Sequence, residues 1–210
     1  MWISPSFQVT DFRQPLSISD KIAIFEDRTI GWKLDIADQV INGRKRSDGS
    51  EERSPILHSG FATLEIVFSY FEMIAKYEDG FAQKGGSRKF FELGVYSVFP
   101  ELRRYQVPAE IQEVRAEVKS VINYILELMY ESVRCGLYHS GITNGRVVLS
   151  AGFQGPIVFD SQNLSLGINP HLLVPKLRAH FSNYISRLRD PKNRELHQNF
   201  ETRFDFDSQA

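Results

Sequence analysis

Pro108-Ala109-Glu110-Ile111-Gln112-Glu113-Val114 opens a run that closes with Ser132-Val133-Arg134-Cys135-Gly136-Leu137. Within it Ile111, Val114, Val118, Val121, Ile125, Met129, Val133 and Leu137 recur at steps of 3, 4, 3, 4, 4, 4 and 4. That is the apolar stripe of one long amphipathic helix, about 45 Å at 1.5 Å per residue. Pro108 suits its first turn. A helix this long needs other helices to cover its stripe, so the run predicts a mainly α fold.

The flanks supply them. Ser19-Asp20 offers an N-cap ahead of Ile22, Phe25, Trp32, Ile36 and Val40, a helical face that Asn42-Gly43 stops. Leu57, Phe61, Leu64, Phe68, Phe71 and Ala75 recur at 4, 3, 4, 3 and 4, ending at Asp79-Gly80. A shorter helix is expected over 88–99 on Phe91, Val95 and Phe99. Asn169-Pro170 opens a last helix on Leu173, Leu177, Phe181, Ile185 and Leu188, and Asp190-Pro191 stops it. Between the long helix and the last one the period changes. Arg146–Ser150, Pro156–Asp160 and Asn163–Leu166 are short, β-branched runs among glycines. The expectation is one domain over 1–210: a four- to five-helix bundle with a small antiparallel β-hairpin or meander (143–167) before the last helix. Residues 1–18 read as an irregular lead-in, 44–55 as an exposed loop and 192–210 as a polar, frayed tail.

Composition narrows the function. Among 210 residues, 25 Lys and Arg stand against 26 Asp and Glu. The surface as a whole therefore has no attraction for nucleic acid or an anionic membrane, and any polyanion site must be local. The densest basic region lies between Pro170 and Arg203, with seven Lys or Arg against three acids. Lys176, Arg178 and Arg187 are its candidate phosphate contacts, alongside the plainer reading of a solvated face. No run of 18 apolar residues predicts a membrane span. The single cysteine, Cys135, and the lack of a visible secretory leader fit a reducing cytoplasm. No CxxC or HExxH occurs, and the five histidines lack metal-ligand spacing, so neither metal nor cofactor is expected.

The chemistry concentrates where the long helix ends. Glu127, Tyr130, Arg134 and Tyr138 share one ridge, and His139 follows at the helix terminus. An arginine beside an apolar stripe needs a partner, for which Glu131 or Glu127 is at hand, with Glu72 a candidate from across the bundle. Arginine plus histidine suffices to cut RNA without a metal. The guanidinium grips the non-bridging phosphate oxygens, the imidazole moves a proton near neutral pH, and the RNA's own 2′-hydroxyl is the nucleophile. On an ideal helix, however, five residues put the two side chains about 140° apart. A shared pocket therefore needs a distorted helix end or two chains face to face. Arg134 and His139 also have plainer roles as an ion pair and a helix C-terminal residue. Arg53 and His58 repeat the spacing across a loop.

Val133-Arg134-Cys135-Gly136-Leu137-Tyr138-His139 resembles the Arg-x4-6-His signature of the HEPN superfamily (higher eukaryote and prokaryote nucleotide-binding domains), where it sits at the end of a long helix. Ile168-Asn169-Pro170-His171, opening a helix after a small β element, is similar to a bacterial subgroup of that superfamily. The resemblance spans about residues 56–190. It implies a metal-independent endoribonuclease working as a homodimer, with the Arg134 and His139 pairs of both chains in one cleft. Arg134 would stabilise the scissile phosphate and His139 would be the general acid and base. Such domains often serve as toxins or in antiviral defence, with an antitoxin or regulatory partner. Others are non-catalytic dimerisation, RNA-binding or nucleotide-binding modules. Cys135 stands where many active members carry a polar residue.

Overall fold

The computed structural model describes residues 1–104 and 121–209. The chain is mainly helical with two small sheets. Its helices are α1 (Ile18–Thr29), α2 (Asp35–Asn42), α3 (Gly60–Asp79), α4 (Ser87–Val98), α5 (Val121–Glu127), α6 (Gly136–Ser140), α7 (Pro170–Arg189) and α8 (Arg194–Ser208). A π-helical turn, Ile30–Leu34, joins α1 to α2, and a second, Leu128–Cys135, joins α5 to α6. The first half of the expected long helix, with Ile111, Val114 and Val118, lies outside the described residues. In its second half all five expected core positions, Val121, Ile125, Met129, Val133 and Leu137, are buried.

Both π turns leave a mark on the apolar pattern. In an α-helix each step of four overshoots a full turn by about 40°, so four such steps carry a stripe away from its face. The wider π turn, with its i→i+5 hydrogen bonds, takes up the extra residues and keeps Val121 to Leu137 facing inward. The first π turn corrects the expected face of α1 and α2. Ile22 and Phe25 are buried, but Trp32 and Ile36 are exposed, and the core side passes to Leu34, Ala37 and Ile41. The extra residue between buried Thr29 and buried Leu34 rotates everything after it. The N-cap is also two residues earlier than expected. Ser17 Oγ accepts the Asp20 N–H, and the Asp20 carboxylate accepts the Ser17 N–H, a closed capping box.

Helix α3 is the hub, packing on α2, α4, α7, α8 and the π turn that follows α5. Its face is buried from Leu64 on, while Leu57 and Phe61 remain exposed ahead of and in the first turn. Gly80, at φ +73°, ends it. The crossing with α4 depends on Gly94, where a Cβ would lie 1.8 Å from the Phe71 carbonyl oxygen.

Three expectations at the periphery are corrected. The 44–55 segment is exposed but holds a two-stranded antiparallel hairpin, β1 (Arg44–Lys45) and β2 (Glu51–Arg53). The β insertion is a mixed sheet rather than an antiparallel meander. Its strands β3 (Val147–Leu149), β4 (Ile157–Asp160) and β5 (Ser165–Ile168) lie in the order β3-β5-β4, with β3 parallel to β5. The most buried strand, β5, takes the centre, and the β3–β4 connection folds over it. A Cβ on Gly167 would meet the Phe153 ring at 2.7 Å. Finally, α7 is not the last helix. The supposed tail forms α8, whose Phe200 and Phe204 are buried among Phe25, Tyr77 and each other. Aromatic rings bury enough area to anchor a helix whose other positions are polar.

Candidate functional site

Arg134 stands at the end of the second π turn. The closing i→i+5 bond runs from the Gly136 N–H to the Glu131 carbonyl, across Arg134. Such turns are over-represented at functional sites, and here the wide turn sets the direction of the arginine. Its partner is neither Glu131 nor Glu127 but Glu72 of α3, with Nη2 3.2 Å from Oε2. The guanidinium carbon lies 5.6 Å from the Tyr130 ring centroid and 5.8 Å from that of Tyr138. The Tyr130-Arg134-Tyr138 ridge is thus a stack, a cation between two aromatic faces. Glu131 turns outward to α4, where it meets Arg88 at 3.1 Å. Arg88 also holds Glu92 at 3.0 Å and lies 5.7 Å over the Tyr130 ring.

Glu72 is the centre of the cluster. It accepts from Lys76 Nζ at 2.6 Å, Ser87 Oγ at 2.8 Å and Arg134. Burial by itself would push its carboxyl up. The hydrogen bonds from Lys76 and Ser87, and the charges of Lys76 and Arg134, outweigh burial and hold it below the ordinary carboxylate range. Burial would likewise lower the Arg134 pKa, but its contacts with Cys135 and Glu72 raise it instead, so the guanidinium stays charged.

His139 occupies the last turn of α6 and is exposed. Its ring sits edge-on to Tyr138, centroid to centroid 5.0 Å, and the helix closes at Gly141 in the left-handed region, φ +69°. Among the described residues no hydrogen bond joins His139 to Arg134. Tyr138, 74% exposed, touches both. One chain therefore presents an arginine held by Glu72 and an exposed imidazole, both in contact with one tyrosine. The three candidate phosphate contacts on α7 do not gather on this cluster. Lys176 lies over the Phe99 ring, Arg178 pairs with Asp35 at 2.7 Å, and Arg187 lines a cleft with Glu78.

A second polar network was not singled out in the sequence. The Tyr70 hydroxyl lies 2.8 Å from His180 Nδ1, His180 Nε2 lies 3.0 Å from Ser97 Oγ, and Ser97 Oγ lies 2.9 Å from Glu78 Oε1. Burial drives the Tyr70 pKa well above its usual value, so its hydroxyl remains protonated. Burial, with Lys176 and Arg187 nearby, lowers His180 to about 4. A neutral imidazole accepting from Tyr70 carries its proton on Nε2 and donates to Ser97, which donates to Glu78. Ser97 is therefore a link between helices rather than an activated nucleophile. The available signal was the position of His180 between buried Leu177 and Phe181 on the α7 face.

No group of three or more His, Cys, Asp or Glu among the described residues is placed to hold a metal ion. No helix among them is long and apolar enough to cross a membrane. Comparison with protein-family models, curated proteins and solved structures finds no match.

Proposed function

We propose that this chain is a metal-independent endoribonuclease of the HEPN type, acting as a homodimer in a toxin or defence setting. The observation that carries the proposal is the pairing, at one distorted helix end, of a charged arginine braced by Glu72, Tyr130 and Tyr138 with an exposed histidine. In the reaction, His139 takes the proton from a 2′-hydroxyl, whose oxygen attacks the adjacent phosphorus. Arg134 binds the non-bridging oxygens and offsets the charge of the transition state. The 5′-oxygen of the next nucleotide leaves and receives a proton from the imidazole of the partner subunit or from water. The products are a 2′,3′-cyclic phosphate and a 5′-hydroxyl. Tyr138 offers an exposed aromatic face on which an unpaired base can stack. Glu72 acts as a positioning residue: it holds the arginine through Nη2 and leaves N–H donors on the rim of the guanidinium for the phosphate.

The proposal assigns a second Arg134 and His139 pair to a second copy of the chain, as the resemblance implies; within one chain no hydrogen bond among the described residues joins the two side chains, and each contacts Tyr138 separately. The assay is RNA cleavage by the purified chain in EDTA, with the new ends identified chemically. Cleavage leaving cyclic phosphate ends is expected, and intact RNA across varied substrates would overturn the proposal.

One observation favours a second reading. The charge of Arg134 is already met by Glu72, as in a tie between helices of a non-catalytic module. That reading expects Arg134→Ala to weaken the fold or the dimer and expects no RNA cleavage at any protein concentration.

A further inference from the structure

A groove of about 620 Å³ opens between the end of α2, the start of α3, the end of β3 and the start of α7. Its walls are mostly apolar, with Ile56, Leu57, Phe61 and Leu149 among them, and no Asp, Glu, Lys or Arg among the described residues lines it. Its size and lining are those of a small-molecule site: a largely apolar cleft with a few placed polar groups. Two of those groups are imidazoles, His58 and His171. His58 is held at φ +58°, a left-handed conformation uncommon for a residue other than glycine.

His171 is oriented by a relay behind it. Asn42 Nδ2 donates to Asp38 Oδ1 at 2.8 Å, which leaves Asn42 Oδ1 to face His171 Nδ1 at 2.7 Å. A carbonyl oxygen only accepts, so the His171 Nδ1 carries a proton. In the neutral imidazole Nε2 is then a bare acceptor, and it is the ring nitrogen left for a ligand. The backbone is fixed as well. Buried Asn169 caps α7 by accepting the His171 N–H at 3.0 Å, and its amide donates to the carbonyls of Ala151 and Phe153 at 3.0 and 2.8 Å. The helix start that carries His171 and the loop that forms the facing wall are thereby tied together.

We propose that this groove binds a small, uncharged amphipathic molecule: an apolar body seated against Ile56, Leu57 and Phe61, and one hydroxyl or N–H group donating to His171 Nε2. The absence of Asp, Glu, Lys and Arg among the described lining residues selects against ionic ligands. The oriented His171 acceptor selects for a donor over an isosteric ether. This site does not depend on the ribonuclease reading.

The probes are 2-naphthol, which has an aromatic body and one hydroxyl donor, and 2-methoxynaphthalene, which lacks the donor. Binding is followed by calorimetry at pH 8. The wild-type protein is expected to bind 2-naphthol about five- to ten-fold more tightly than the ether, the worth of one hydrogen bond. Asn42→Ala and His171→Phe should bring the two affinities together. Leu57→Asp, at a position 83% exposed and so neutral for the fold, should weaken both probes at least five-fold. Circular dichroism confirms that each variant is folded. Equal affinity of the wild-type protein for both probes, no binding of either at 1 mM, or full binding by Leu57→Asp would each overturn the proposal.

Discussion

Removing Glu72 should damage the fold more than removing Arg134. Glu72 holds two cations, Arg134 and Lys76, plus the Ser87 hydroxyl, whereas Arg134 loses only one of the three contacts that Glu72 makes. Glu72→Gln therefore strands two charges whose side chains are 28% and 12% exposed. Breaking a fully buried pair from one side costs about 3–5 kcal/mol. Partial exposure of Arg134 reduces this, and we expect about 2–3 kcal/mol. Arg134→Ala leaves Glu72 with Lys76 and Ser87, and forfeits two ring contacts, for about 1 kcal/mol. With a urea m-value of about 2 kcal/mol/M, the unfolding midpoint should fall by about 1–1.5 M for Glu72→Gln and about 0.5 M for Arg134→Ala. The double variant should show a coupling of about 1 kcal/mol. If Arg134→Ala is as destabilising as Glu72→Gln, or the coupling is under about 0.3 kcal/mol, the hub role of Glu72 is wrong. The same ordering matters for function: an arginine that the fold tolerates losing can be tested for activity without ambiguity.

Three further outcomes follow from the packing. Phe200→Ala should cost about 3–5 kcal/mol by thermal or urea unfolding, since Phe200 is fully buried against Phe25, Tyr77 and Phe204; a frayed C-terminal segment would show no change. Gly94→Ala should fail to give a cooperative unfolding transition, because its methyl would overlap the Phe71 carbonyl; a well-folded variant would contradict the close α3–α4 crossing. His180, lowered to about 4, is neutral in the folded chain but takes up a proton on unfolding between about pH 4 and its ordinary value of 6.5. Its contribution is complete above about pH 6.5 and declines as the pH falls to about 4. His180→Asn should flatten that part of the stability profile, and an unchanged slope would refute the assignment.

The helices were legible because their stripes are local. Leu64, Phe68, Phe71 and Ala75 need only the α-helical period to be placed on one face, and all four are buried. The errors arise where the period is not constant. Thr29 to Leu34 spans five residues because a π turn intervenes, and an α-helical template then assigns Trp32 and Ile36 to the wrong side. The unbroken steps of four from Val121 to Leu137 were the trace of the other π turn, read only as a long helix. Helix α8 escaped notice because Phe200 and Phe204 are two anchors in an otherwise polar stretch, and polarity outweighed the spacing of four. Strand order is non-local: nothing in Val147–Leu149 or Ser165–Ile168 alone states that they pair in parallel.

The site divides in the same way. Tyr130, Arg134 and Tyr138 stack as their spacing on one helix requires. The choice of Glu72 over the nearer Glu131 depends on how α3 crosses that helix. So do the roles of Lys76 and Ser87, which no local pattern marks.

The most direct test of the central claim is cleavage of a labelled RNA in EDTA by the wild-type chain beside Arg134→Ala and His139→Ala, each shown to be folded and of the same oligomeric state. The account predicts that the wild-type chain cuts and that each variant loses at least a hundred-fold in rate. Equal cleavage by all three proteins, or none by the wild-type chain, would contradict it.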